Sequence, residues 1–264
     1  MTSGIPNYSD TPLWNAAEFN KPETNWTKAQ LIDFAYPKGK FSPPRKSNYF
    51  YTNTGYILSD LIIEKASGKS FENLIKNNLL KATDLKNTFY PLPTLNPETK
   101  KRLAAGYNYN QYDNPKLVGS NTSNVNLSWA GAAGGIISNS EDIIKWVKAL
   151  FIENTILNSK QKKQLQDIVS LTDGKPIKTT SEDNPKGFGL GIIQAYNKEI
   201  GTFWYYQGET LGFRALYMYV PCNNVIVSSL FNSATNSEND NANILMINTY
   251  KNILELNPIL KCKS

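Results

Sequence analysis

Residues 187–231, GFGLGIIQAYNKEIGTFWYYQGETLGFRALYMYVPCNNVIVSSLF, decide the fold. Within them GFGLGIIQAY, TFWYY, FRALYMYV and NVIVSSLF alternate or run apolar and are rich in β-branched and aromatic side chains. That is the period of a half-buried strand rather than of a helix. Pro221-Cys222-Asn223-Asn224 reads as a tight turn between the last two, so the segment is an antiparallel meander. Downstream, NANILMINTYKNILEL (241–256) is an amphipathic helix able to cover one face of that sheet.

Upstream the period changes to that of helices. A helix is expected near Thr27–Tyr36 with Thr27 as its N-cap. In GYILSDLIIEKASGKS, Leu58, Leu61, Ile62 and Ala66 recur at helical spacing and Gly68 ends the run. Ser70 caps a further helix reaching about Leu80. Residues 82–128 are polar, Asn-rich and broken by Pro, with short extended pieces such as LAAGYNY, and Met1–Pro44 is otherwise loop-like. After the glycine cluster GAAGGIIS (131–138), Ser138 and Glu141 have capping-box spacing before DIIKWVKALF. There are no internal repeats and no separating linker. The expected architecture is α+β in one domain over 1–264, mostly helical over 27–170, with the sheet and final helix over 187–258.

Composition narrows the chemistry. The 264 residues carry 28 Lys+Arg against 22 Asp+Glu, two cysteines and no histidine. Without His, Ser-His-Asp and Cys-His arrangements are excluded, along with the commonest zinc ligand. Two cysteines, Cys222 and Cys262, cannot build a thiolate metal site. They form one bridge or stand as two thiols; both readings are open. The basic excess is scattered lysine, and Arg45, Arg102 and Arg214 are the only arginines, which argues against a nucleic-acid partner. Gly131, Gly134 and Gly135 form no dinucleotide fingerprint, and no cofactor or metal is expected. No stretch is apolar for the length of a membrane span. MTSGIPNYSD lacks a basic region followed by an apolar one, so taken literally the chain reads as soluble and without a signal peptide.

Four segments together carry a family resemblance: TSGIPNYSD, NYFYTNTGYILSDLIIEKASGKSFENLI (48–75), GAAGGIISNSEDIIKWVKAL and FWYYQGETLGFRALYMYVP (203–221). In register along nearly the whole chain, they resemble the serine β-lactamase and D-alanyl-D-alanine carboxypeptidase superfamily, on its class C side. The resemblance implies an antiparallel sheet flanked by helices. It also implies a hydrolase that opens amide or ester bonds through an acyl-enzyme. Tyr51-Thr52-Asn53 falls on the family's Tyr-x-Asn motif, where the phenol takes part in proton transfer and the carboxamide holds the substrate amide. Tyr206-Gln207-Gly208 falls on its Lys- or His-x-Gly motif, and the backbone N–H of Glu209 would be half of the oxyanion hole. Such a donor is worth about 3 kcal/mol of transition-state stabilisation.

The departures matter as much. Family members carry the nucleophile on a Ser-x-x-Lys motif upstream of the TSGIP segment. Here the only such match is Ser159-Lys160-Gln161-Lys162, where Ser159 reads as the N-cap of a surface helix. The expectation is a chain lacking the family's N-terminal strands and nucleophile helix, inactive in isolation and marginally stable unless a separate N-terminal polypeptide completes it. Tyr206 is neutral where a cation is expected, and Arg214 is the candidate replacement for a substrate carboxylate. The substrate would be a small molecule or a peptidoglycan peptide. The rival reading is a non-catalytic module that keeps the cleft to bind peptidoglycan-like or peptide ligands. The family is commonly exported, and the localisation of this chain is left open.

Overall fold

A computed structural model describes residues 1–37, 49–90, 95–111, 115–235 and 241–262. The loop expected at 38–44 lies outside them. Eight helices are described: α1 (Pro12–Asn20), α2 (Lys28–Ala35), α3 (Asn53–Ser67), α4 (Phe71–Leu74), α5 (Pro97–Arg102), α6 (Ser140–Val147), α7 (Ser159–Gln166) and α8 (Ala242–Leu256). The strands are β1 (Tyr107–Asn108), β2 (Ile168–Ser170), β3 (Pro176–Ile177), β4 (Lys186–Phe188), β5 (Ile193–Asn197), β6 (Gly201–Thr210), β7 (Phe213–Val220), β8 (Val225–Phe231) and β9 (Ser233–Ala234).

Local chemistry explains most of the helix boundaries. Thr27 and Gln30 form a reciprocal capping box on α2. Thr52 caps α3, and Gly68 closes it in the left-handed conformation at φ 67°. Ser70 caps α4, whose path continues over 75–80 in wider turns with bonds five residues apart, such as Lys81 N–H to Lys76 O. Two caps differ from expectation. Ser138 directly follows Ile137, which bridges Phe89, and its hydroxyl bonds that of Thr88 at 2.8 Å. Asn139 therefore caps α6 by accepting from the Asp142 N–H. Likewise Asn158, in a capping box with Gln161, caps α7, and Ser159 is the first helical residue.

Seven strands form one antiparallel sheet in the order β3-β2-β4-β5-β6-β7-β8. The sheet begins earlier in the chain than the meander, since Ile168–Ile177 adds a hairpin of two short strands. Alternation along β6 and β7 separates two cores. Phe203, Tyr205, Leu216 and Met218 meet Met246 and Tyr250 of α8 on one face. Trp204 and Tyr219 meet Val147 of α6 and Phe151 just beyond it on the other. A third core, of Tyr8, Trp14, Leu31 and Ile57 with Trp26, Phe34 and Trp129 around it, ties the first three helices together. Burying aromatic side chains of this size contributes several kcal/mol each.

Two long-range ties join the halves of the chain. Tyr107–Asn108 pairs in parallel with Ser233–Ala234. The tip of the β6–β7 hairpin tucks under that segment: Thr122 donates its hydroxyl to Leu211 O at 2.7 Å. Gly212 sits there at φ 88°, where a Cβ would lie 2.1 Å from Thr122 Oγ1. The cysteines are bridged, Cys222 to Cys262, with Cα atoms 5.5 Å apart. Asn223 adds hydrogen bonds from its amide to Tyr250 OH and Leu260 O, both 2.8 Å. The bridge thus pins the end of the chain to the β7–β8 turn. No helix among the described residues is long and apolar enough to cross a membrane.

Candidate active site

The start of α3 is fixed from beneath by the first residues of the chain. Asn7 accepts the Asn53 backbone N–H on its side-chain oxygen at 2.9 Å and donates its amide to Asp10 at 2.8 Å. Tyr8 N–H is held by the Thr54 hydroxyl at 2.9 Å, and its phenol donates to the Trp129 carbonyl. Thr52 donates to Pro6 O and accepts from Gly55 N–H, so the segment 51–55 has little freedom. On this frame the Asn53 carboxamide donates to Ser9 Oγ at 3.0 Å.

Tyr51, just before the cap, faces β6. The Tyr206 hydroxyl lies within electrostatic reach of those of both Tyr51 and Tyr56, whose ring centroids are 6.1 Å apart. Tyr217 stands directly across from Tyr206 on β7, and Phe188 meets Tyr206 edge-on at 6.3 Å between ring centroids. Tyr49 lies 5.4 Å from Phe188. The cleft between the helical part and the sheet is therefore lined by phenols.

Electrostatics follow from that crowding. Burial raises the Tyr206 phenol far above its ordinary value, and the neighbouring Tyr56 and Tyr51 raise it further. Burial also raises Tyr51, Tyr56 and Tyr217, and pushes Tyr49 up to about 12, while the neighbouring Tyr206 hydroxyl pulls Tyr51 and Tyr56 partly back. All of these phenols are neutral at pH 7, because a low-dielectric site disfavours phenolate. The trio supplies no fixed charge.

Of the residues marked out by sequence, Tyr51 and Tyr206 are brought together, while Asn53, two residues beyond Tyr51, turns its carboxamide to Ser9. Gly208 and Glu209 lie exposed further along β6, and a Cβ on Gly208 would meet nothing within 4 Å. Arg214 is not brought beside Tyr206. It pairs across the ladder with Glu209, three residues beyond Tyr206, so alternation turns it to the opposite face. There it is buried, donates Nε–H to Ser233 O at 2.9 Å and lies over the Phe231 ring at 4.8 Å. Ser159 and Lys162 sit at the first turn of α7. Tyr56, Tyr217, Asn7 and Ser9 were not marked out. Tyr217 follows from counting back from the two-residue turn Leu211–Gly212, whereas nothing in the sequence pattern marks the others.

A family model described as Beta-lactamase matches residues 1–251. The chain belongs to the beta-lactamase family. This beta-lactamase family chain is 24% identical over 221 residues to penicillin-binding protein 4* of Bacillus subtilis (strain 168), covering 81% of itself and 46% of that protein. Among solved structures, a D-stereospecific amidohydrolase from Streptomyces sp. superposes with a TM-score of 0.71 at 23% identity, over 88% of this chain and 65% of that one. A D-amino acid amidase from Ochrobactrum anthropi SV3 gives 0.69 at 20% identity, over 97% and 70%. The beta-lactamase-family chain thus spans about half the length of the curated relative and two thirds of the amidohydrolase. The fold is that of the β-lactamase and transpeptidase-like serine hydrolases.

Proposed function

We propose that this chain forms one wall of a serine-hydrolase site acting on amide or ester bonds. In this reading Tyr51 relays protons, Asn53 holds the substrate amide, and the Glu209 N–H at the open end of β6 is half of the oxyanion hole. The observation that carries it is the meeting of the Tyr51 loop with Tyr206 on β6, above a frame built by Asn7, Tyr8 and Thr52. The nucleophile has to come from outside residues 1–264, since the one Ser-x-x-Lys stands at the start of α7. A lysine brought beside Tyr51 with that serine would lower its pKa by offering a cation, which the neutral phenols do not.

The supplying segment is proposed to be an N-terminal polypeptide that lies beside β8. That strand pairs with β7 on one side only, among the described residues, and Leu230, Ile244 and Leu245 are exposed on and near it. An unpaired edge with apolar neighbours is a template for strand addition. Substrates are proposed to be D-amino-acid amides or peptides, or penicillins, following the names of the relatives. Tyr206, neutral where the family has Lys or His, favours a second reading, a module that binds such peptides without turning them over.

Fluorescent penicillin decides between them. The isolated chain is expected to remain unlabelled, and to become part of a labelled complex when co-expressed with the polypeptide encoded immediately upstream. Labelling at a serine within residues 1–264 would refute the assignment. An upstream reading frame without Ser-x-x-Lys, together with retained peptide binding, would establish the module.

A further inference from the structure

A second cleft lies between α7 and the sheet, about 510 Å³ in volume and lined by Lys162, Lys163 and Lys178, with Asp167 as its only acid. Its floor is two side chains from neighbouring strands. Gln194 on β5 and Trp204 on β6 are directly opposite each other in the ladder, so they project side by side from the same face. Both are more than nine-tenths buried.

The floor is a fixed set of donors. The carboxamide oxygen of Gln194 accepts three hydrogen bonds, from Thr179 Oγ1 at 3.0 Å, Thr180 N–H at 2.8 Å and Thr180 Oγ1 at 3.2 Å. That saturates the oxygen and fixes the amide plane. Its NH2 group makes no hydrogen bond among the described residues, and neither does the indole N–H of Trp204. Trp204 is held in place by Phe151, whose ring is 5.6 Å away. Neither donor is among the buried polar atoms left without a partner, so both open onto the cleft and can donate to an acceptor held there. None of the three lysines forms an ion pair among the described residues. Three ammonium groups against one carboxylate, over two donors open to the cleft, favour an anion with several oxygens. The volume falls within the range of small-molecule sites, larger than an inorganic ion needs.

We propose that this cleft binds a small organic oxyanion, a molecule bearing a phosphate or carboxylate group. Its head is bound by the Gln194 amide and the Trp204 indole N–H, with the lysines around it. Trp204 precedes Tyr206 by two positions on the same face of β6, about 7 Å along the strand, so the occupant lies next to the tyrosine cleft. Binding here does not depend on catalytic activity.

Three ligands that share a ring and differ in the head group test it: glucose 6-phosphate, glucuronate and glucose. Each is titrated into the 15N-labelled chain, following the Gln194 side-chain NH2 and Trp204 indole signals. Glucose 6-phosphate, glucuronate or both are expected to shift the two signals saturably, and the one that does identifies the head group. Glucose is expected to shift neither. The double substitution Lys162→Met, Lys178→Met changes only side chains at the rim. It is expected to weaken the interaction about tenfold while leaving the rest of the spectrum in place. Signals unmoved by both anions, shifts equal to those with glucose, or an affinity unaffected by losing the lysines would each overturn the assignment.

Discussion

Replacing Cys222 and Cys262 together by Ser probes how the end of the chain is held. The bridge closes a loop across 40 positions that contains β8 and α8. In the chain-entropy view, forbidding the unfolded chain to open a loop of this length is worth about 4 kcal/mol. The folded side should change little, because Ala242, Met246 and Tyr250 still pack on the sheet, and Asn223 still holds Tyr250 and Leu260. For a protein of this size each kcal/mol moves the melting temperature by about 2–4 °C, so a fall of about 8–16 °C is expected. The assay is thermal melting followed by far-ultraviolet circular dichroism, with wild type under reducing conditions as the matching arm. An amide spectrum showing Tyr250 in its native environment confirms that the loss lies in the unfolded state. A double variant melting within about 3 °C of wild type would refute the reasoning, since the loop constraint then contributes almost nothing.

Three further outcomes are expected. Asp142 is fully buried and accepts from Asn87 N–H at 2.7 Å and Thr88 Oγ1 at 2.9 Å. Asp142→Ala orphans both donors and should cost about 3 kcal/mol by urea unfolding, whereas a loss under about 1 kcal/mol contradicts this account. Gly212→Ala places a Cβ against Thr122 and forces a left-handed alanine, so about 2–3 kcal/mol should be lost; an unchanged urea midpoint would show that the hairpin tip is looser than described. The cleft phenols also make stability pH-dependent. A tyrosine whose folded pKa is raised favours folding fully below its unfolded value near 10 and loses that contribution as pH rises through the folded value. With Tyr49 raised to about 12 and Tyr51, Tyr56 and Tyr206 also raised, melting temperature should hold up to about pH 9 and fall from pH 10 to 12. A flat profile across that window would show the phenols to be solvated.

The parts of the fold legible in the sequence are those whose information is local. The meander from 187 shows because each strand repeats every two residues, and α2, α3 and α4 show because Thr27, Gly68 and Ser70 signal their own ends. Ile168–Ser170 and Pro176–Ile177 are too short to display a period, and their pairing depends on Phe188 and Gly187 several residues away. The caps of α6 and α7 each lay one residue from the expected position, because a distant Thr88 claims Ser138 and because Asn158 precedes Ser159. At the site, Tyr51, Asn53 and Tyr206 were read from motif and register. Their surroundings were not, because Asn7 and Ser9 reach Asn53 across more than forty residues of chain. Arg214 shows the limit of proximity in sequence: it follows Tyr206 closely, yet the pleat sends it to the other face.

The pairing of Tyr107 with Ser233 joins positions nearly half the chain apart, and the hairpin tip is clasped by the same segment. A contact of that span forms late, after the loop it closes has been ordered by other means. It also makes the chain a closed circuit, in which helices from the first half are fastened to the last strand of the second. Neither half can then open for long while the other stays shut. Heating or denaturant should take the protein apart in a single step rather than one half at a time.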